Sequence, residues 1–145
     1  MAKFKYRFAS LLNMKEILEK KIKEEISLIN KEILNLNFEQ KEIEEKRKKT
    51  QQQMIETSLK VAEFQSAKTY DSILEKKIIM IGKKIQQWEK KKEEKQRELT
   101  EKKKEIKAFE TIRENQLNNF MIDERREELK AMNEIALRNY YGEEK

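Results

Sequence analysis

The chain has 145 residues, 43% of them charged, with a formal net charge of +6, no cysteine, no histidine, no proline and two glycines. Without histidine or cysteine, imidazole- and thiol-activated nucleophiles and thiolate or imidazole metal sites are excluded, and two glycines cannot build a Gly-rich phosphate cradle. With 37% hydrophobic residues spread in single and double steps, apolar groups can line helical stripes but cannot fill a thick interior.

Lysine and arginine outnumber aspartate and glutamate by 34 to 28, a modest excess whose acids and bases are interleaved almost throughout. No apolar run approaches the roughly 20 residues that span a bilayer, and the N-terminus has no secretory apolar segment. A soluble cytoplasmic protein is expected.

Residues 1–10 mix cations with Phe4, Tyr6 and Phe8. Such an alternation fits either a short strand or the start of a helix packed through its aromatic rings, and it can also be read as a basic, aromatic docking tip. Ser10 is the evident cap, after which Leu11, Leu12 and Met14 open a helical pattern. From Leu18 the residues Ile22, Ile26, Ile29, Ile33 and Leu36 recur at steps of three and four, the period of a helix with one apolar seam. The seam then turns polar at Gln40, Ile43, Arg47, Thr50 and Met54. Acid-first pairs four residues apart, such as Glu16 with Lys20 and Glu42 with Lys46, support so polar a helix by about 0.2–0.5 kcal/mol each.

The reversal has two candidates. Thr57-Ser58-Leu59-Lys60 offers hydroxyl caps ahead of Val61, while Ser72 and Glu75 match a capping box. The seam pattern favours the later turn, because it would set the polar seam of the first helix against Lys92, Lys95 and Lys102. In the second helix Leu74, Ile78, Ile81, Ile85 and Trp88 form the echo of the first seam. Ile73, Ile79 and Met80 fall outside it, so the apolar arc is wider than two helices can cover. Residues 89–107 are almost pure Lys, Glu, Gln and Arg. They read as a solvated helix, since nucleic-acid binders concentrate positive charge on one face. Ile106 and Phe109 restore the seam, an irregular apolar pattern runs through Leu117, Phe120, Leu129, Met132, Ile135 and Ala136, and Gly142 is the expected helix stop. Acid pairs abound, but a two-helix rod has no pocket to shift a carboxyl pKa for catalysis.

The opening Phe4-Lys5-Tyr6-Arg7-Phe8-Ala9-Ser10-Leu11-Leu12 resembles the N-terminus of the FliJ family of flagellar type III export proteins. Phe109-Glu110-x-x-Arg113-Glu114 and Met132-Asn133-Glu134-Ile135-Ala136 are similar to its closing pattern, and Tyr70, Leu74 and Trp88 fall at family-like spacing. The resemblance implies the earlier turn. It also implies an all-α, elongated antiparallel two-helix coiled-coil hairpin whose second helix is the longer. As one domain over 1–145, it would have helix 1 at about 4–57, a turn at about 57–61 and helix 2 at about 61–140. Further implications are a non-enzymatic role without cofactors, similar to a rotary-ATPase central stalk, and binding to the hexameric export ATPase FliI, the export-gate protein FlhA and export chaperones. The implied location is the cytoplasmic face of the membrane at the flagellar base, peripheral and not inserted. The expected ATPase-end residues are Phe4, Tyr6, Arg7 and Phe8, with the C-terminal helix; the expected gate stripe is Tyr70, Leu74, Lys77 and Ile81. A homodimeric coiled-coil scaffold, a rotary-ATPase stalk subunit and a nucleic-acid-binding hairpin are the competing readings.

Overall fold

The computed structural model describes residues 3–143; the ends of the expected 1–145 domain, residues 1–2 and 144–145, lie outside the described residues. Among the described residues there are two helices and no strand: α1, Ala9–Glu56, and the longer α2, Val61–Glu143. The chain packs as two compact units, Met1–Glu19 with Glu101–Lys145, and Lys20–Thr100.

In the Lys20–Thr100 unit the helices run antiparallel. Lys95 reaches Glu25 at 2.7 Å, Gln40 Nε2 donates to the Ile78 carbonyl at 3.2 Å, and Arg47 Nε meets Asp71 at 3.1 Å. Each step forward on α1 is thus a step back on α2. On α1 the covered positions Ile22, Ile26, Ile29, Ile33, Leu36, Gln40, Ile43, Arg47, Thr50 and Met54 alternate by four and three, which holds one line of side chains towards a partner helix; Glu25, Asn30 and Glu32 are partly covered beside it. On α2 the matching line is Ala67, Asp71, Leu74, Ile78, Ile81, Ile85, Trp88, Lys92, Lys95 and Leu99. Its fully buried part is aliphatic: Ile22, Ile29, Ile33 and Leu36 from α1, Leu74 and Ile81 from α2.

The reversal occupies residues 57–60. The Lys60 backbone N–H donates to Glu63 Oε2 at 3.3 Å, and the Phe64 N–H bonds the Lys60 carbonyl at 2.9 Å. Lys60 is therefore the cap of α2, and Glu63, three residues on, supplies the reciprocal half of a capping box. The later turn favoured by the seam pattern lies inside α2, where the Thr69 hydroxyl donates back to the Gln65 carbonyl at 2.9 Å. A hydroxyl read as a cap can equally satisfy itself against its own helix.

In the other unit α1 begins at Ala9, not near residue 4, and Ser10 sits inside its first turn. The Phe8 carbonyl accepts the first helical bond, from Leu12 N–H at 2.9 Å. Leu12, Lys15 and Glu19 on α1 and Lys102, Glu105, Ile106, Phe109, Leu117, Phe120 and Glu124 on α2 are the covered positions. Leu18 is not among them: it is 39% exposed, and Glu19 holds the position three before Ile22. Two successive steps of four, as in Leu18–Ile22–Ile26, overrun a repeat that averages 3.5 residues, so Leu18 rotates out of line. Gly142 likewise ends nothing by a left-handed turn, since no glycine has positive φ and α2 runs to Glu143.

Candidate docking surfaces

With no buried polar or charged residue among those described, the chemistry of this protein lies on its surfaces. The first is the N-terminal segment. Along residues 3–8 exposure alternates strictly: Lys3, Lys5 and Arg7 face outward, whereas Phe4, Tyr6 and Phe8 are half-buried. The segment lies against α2 and enters α1 through a turn in which the Ala9 N–H donates to the Tyr6 carbonyl at 3.2 Å. Phe8 meets the Phe109 ring at 5.9 Å between centroids, Phe4 meets Phe120 at 5.6 Å, and the Tyr6 hydroxyl donates to the Phe109 carbonyl at 2.8 Å. Tilted ring pairs of this separation are favourable beyond their buried area. Of the four residues expected at the ATPase end, three are thus occupied in fixing the segment, and Arg7 is the one left facing solvent, its guanidinium 5.8 Å from the Phe8 ring.

Beside this anchor Lys15 occupies a seam position. Its stem fills the gap and its ammonium reaches Glu105 at 2.7 Å and lies 5.6 Å from the Phe109 ring centroid. Glu105 also takes Lys102 at 3.3 Å. The Lys15 hydrogen bond, with that of Lys102, holds the Glu105 carboxyl below the usual carboxylate range. In the other unit Lys95 does the same to Glu25, whose carboxyl is lowered, and Lys95 itself is raised by that bond. Lys15 and Lys95, both at partly covered positions, thus act as cross-helix clasps.

The second surface is α2 beyond Phe120. Residues 121–142 are exposed except the half-buried Glu124, although they include Met121, Ile122, Leu129, Met132, Ile135 and Tyr140. Among the described residues of this unit none covers them, the last ring contact of the N-terminal segment on α2 being Phe4 with Phe120. Ile122, Leu129, Met132, Ala136 and Tyr140 recur at steps of seven, three, four and four, so they share one side of the helix.

The third is the outward side of α2 between residues 70 and 91. Here the expected gate stripe divides. Leu74 and Ile81 are 3% and 7% exposed, locked in the seam, while Tyr70 is 45% exposed and Lys77 faces solvent. The stripe mixes two seam positions with two that flank the seam, so the four side chains do not form one surface in the closed hairpin. Ile73, Ile79 and Met80 are exposed, in keeping with an apolar arc wider than the seam. A fourth group, Leu11, Met14, Ile17 and Leu18 on α1, is exposed too and had no separate signal in the sequence. Its sign was the doubled spacing at Leu18, which read as seam.

Among known families, the one described as Flagellar FliJ protein matches residues 4–145. No curated protein and no solved structure matches the chain.

Proposed function

The chain belongs to the FliJ family, a non-catalytic family of the flagellar export apparatus, and from that premise we propose that it is a stalk that binds the export ATPase FliI, stimulates its hexameric ring and couples it to the export gate FlhA. No helix among the described residues is long and apolar enough to cross a membrane, and a peripheral place at the cytoplasmic face of the membrane, in exchange with export chaperones, completes the reading. The observation that carries it is the family match over nearly the whole chain, joined to an apolar side of α2 over residues 121–142 that the described residues leave bare.

In this reading the ring takes the bare end of α2 together with Arg7. Phe4, Tyr6 and Phe8 act indirectly, holding the N-terminal segment on α2 so that Lys3, Lys5 and Arg7 face outward. An asymmetric helical pair presents a different face to each ring subunit. Differential affinity for the nucleotide states of those subunits would then bias them in turn. Towards the gate, Tyr70 and Lys77 offer the contact, while Leu74 and Ile81 fix the rotation of α2 that aims them.

Co-precipitation of the full chain with FliI and with FlhA, and ATPase assays of FliI with and without it, test the proposal. Binding to both and a stimulated ATPase are expected. Binding to neither, with an unchanged ATPase rate, would sink it.

A further inference from the structure

The outward ridge of α2, which begins beside the proposed gate residues Tyr70 and Lys77, carries a repeat that the hairpin does not use. Lysine pairs stand at 76/77, 83/84 and 90/91, a repeat of seven, and between them Glu89 is the sole acid. A repeat of seven keeps the pairs on one side of the helix, about 10 Å apart along its axis. All six lysines are exposed, and among the described residues none is in an ion pair; Lys91 instead covers the Trp88 ring at 4.7 Å. Interleaved with the first two pairs on the same side are the exposed Ile73, Ile79 and Met80, with Tyr70 at the end.

We infer that this ridge adsorbs to the surface of an anionic phospholipid bilayer. The reasoning turns on the company the lysines keep. A duplex or single strand of nucleic acid would be met by arginine forks and stacking aromatics, and aliphatic side chains gain nothing from a phosphate backbone. A protein partner's carboxylates would select arginine, since interface cores are poor in lysine. Lysines flanking a line of Ile and Met fit a bilayer: the aliphatic side chains enter the headgroup–acyl boundary, and the lysine stems follow them while the ammoniums stay at the phosphates. A straight line of charge repeated along a helix also matches a plane, and each lysine adds to the attraction without needing a partner of fixed geometry. Glu32 of α1 lines one groove with Trp88 and Lys95, and by helical position Lys76, Lys83 and Lys90 lie farthest round α2 from the seam.

The test uses the full chain and sedimentation with vesicles, neither FliI nor FlhA being present, so its failure would leave the pull-down outcome untouched. Binding is expected to phosphatidylcholine vesicles containing about a third phosphatidylglycerol, to be absent on pure phosphatidylcholine, and to weaken as salt rises. Replacing Lys76, Lys77, Lys83 and Lys84 by Gln should weaken it at least roughly tenfold. Ile79→Ser with Met80→Ser should weaken it about threefold or more, while Leu129→Ser, on the other bare apolar run, should leave it unchanged. All these positions are exposed, and circular dichroism verifies that each variant keeps its helices. The inference is overturned if anionic vesicles fail to retain the protein, if the four-lysine variant binds as well as the parent, if the Ile79/Met80 change has no effect, or if duplex DNA is held as tightly as the vesicles.

Discussion

The seam of the Lys20–Thr100 unit and the end of α2 after Phe120 are built from the same kinds of residue, yet the first is buried and the second is exposed almost throughout. Leu74 is 3% exposed and Leu129 is 54% exposed, both leucines in one helix. What separates them is rhythm and company. Leu74 belongs to a strict alternation of three and four that is matched by an equal alternation on α1, and the two lines zip together. Leu129 belongs to a looser set, and α1 supplies no partner for it within its unit. Apolar content alone thus says nothing about burial in such a chain; a partner with the same period decides it.

The sharpest way to break that contrast is to truncate both leucines. Leu74→Ala should cost about 3 kcal/mol in urea or thermal unfolding, the loss of a buried leucine and the void it leaves. Leu129→Ala should cost less than about 0.5 kcal/mol, as exposed changes usually do. Equal costs would mean that the end of α2 is covered in solution.

Phe109 marks where cover by α1 gives way to cover by the N-terminal segment. Phe109→Ala removes the ring under Phe8 and Lys15 and should cost about 2 kcal/mol. Hydrogen exchange should then rise over residues 4–8 and leave the Ile22–Leu36 stretch protected. A uniform rise along the chain would contradict a local anchor.

Gly82 refines the picture within the seam. A methyl group there would meet only Gln40 Nε2, at an ordinary 3.6 Å, so Gly82→Ala should stabilise the protein by about 0.5–1 kcal/mol through helix propensity. A loss of stability would show that Gln40 needs the open approach to reach the Ile78 carbonyl.

The smallest effect expected is that of acid. Glu25 and Glu105 have carboxyls lowered by the Lys95 and Lys15 bonds, so their contribution is present above the usual carboxylate range, about 4.3, and is lost as pH falls through it towards the lowered values. Both groups face water, which keeps the change small. Melting followed by circular dichroism from pH 7 to pH 3 should fall slightly, and less in the Glu25→Gln, Glu105→Gln double variant. A melting curve that rises on acidification would reverse the sign and refute the assignment.

Several features could be read from residues alone because they depend on short-range spacing. The polar continuation of the α1 seam through Gln40, Ile43, Arg47, Thr50 and Met54 is one, and the excess apolar arc at Ile73, Ile79 and Met80 is another. Features that depend on competition were hidden. Leu18 and Glu19 are adjacent, and hydrophobicity picks the first whereas the repeat picks the second. Ser72 looks like a cap until the helix runs through it. The lysine repeat was there to be read, but counting acids and bases over residues 89–107 missed it, because it begins at Lys76 and appears only when the charges are counted by helix face.

By itself the sequence determined that the chain is long helices with heptad seams, since period and breaker content are properties of the chain, and its order of residues carried the resemblance to a flagellar export family that implied the longer second helix. Only the tertiary structure decided which apolar residues are spent and which are left over. Tyr6 and Phe8 fit either a docking tip or aromatic packing in the sequence and are bound to Phe109 in the fold, while Leu74 and Ile81, seam by spacing and gate stripe by resemblance, are buried in the seam. Burial is a relation between two segments, and a single segment does not contain it.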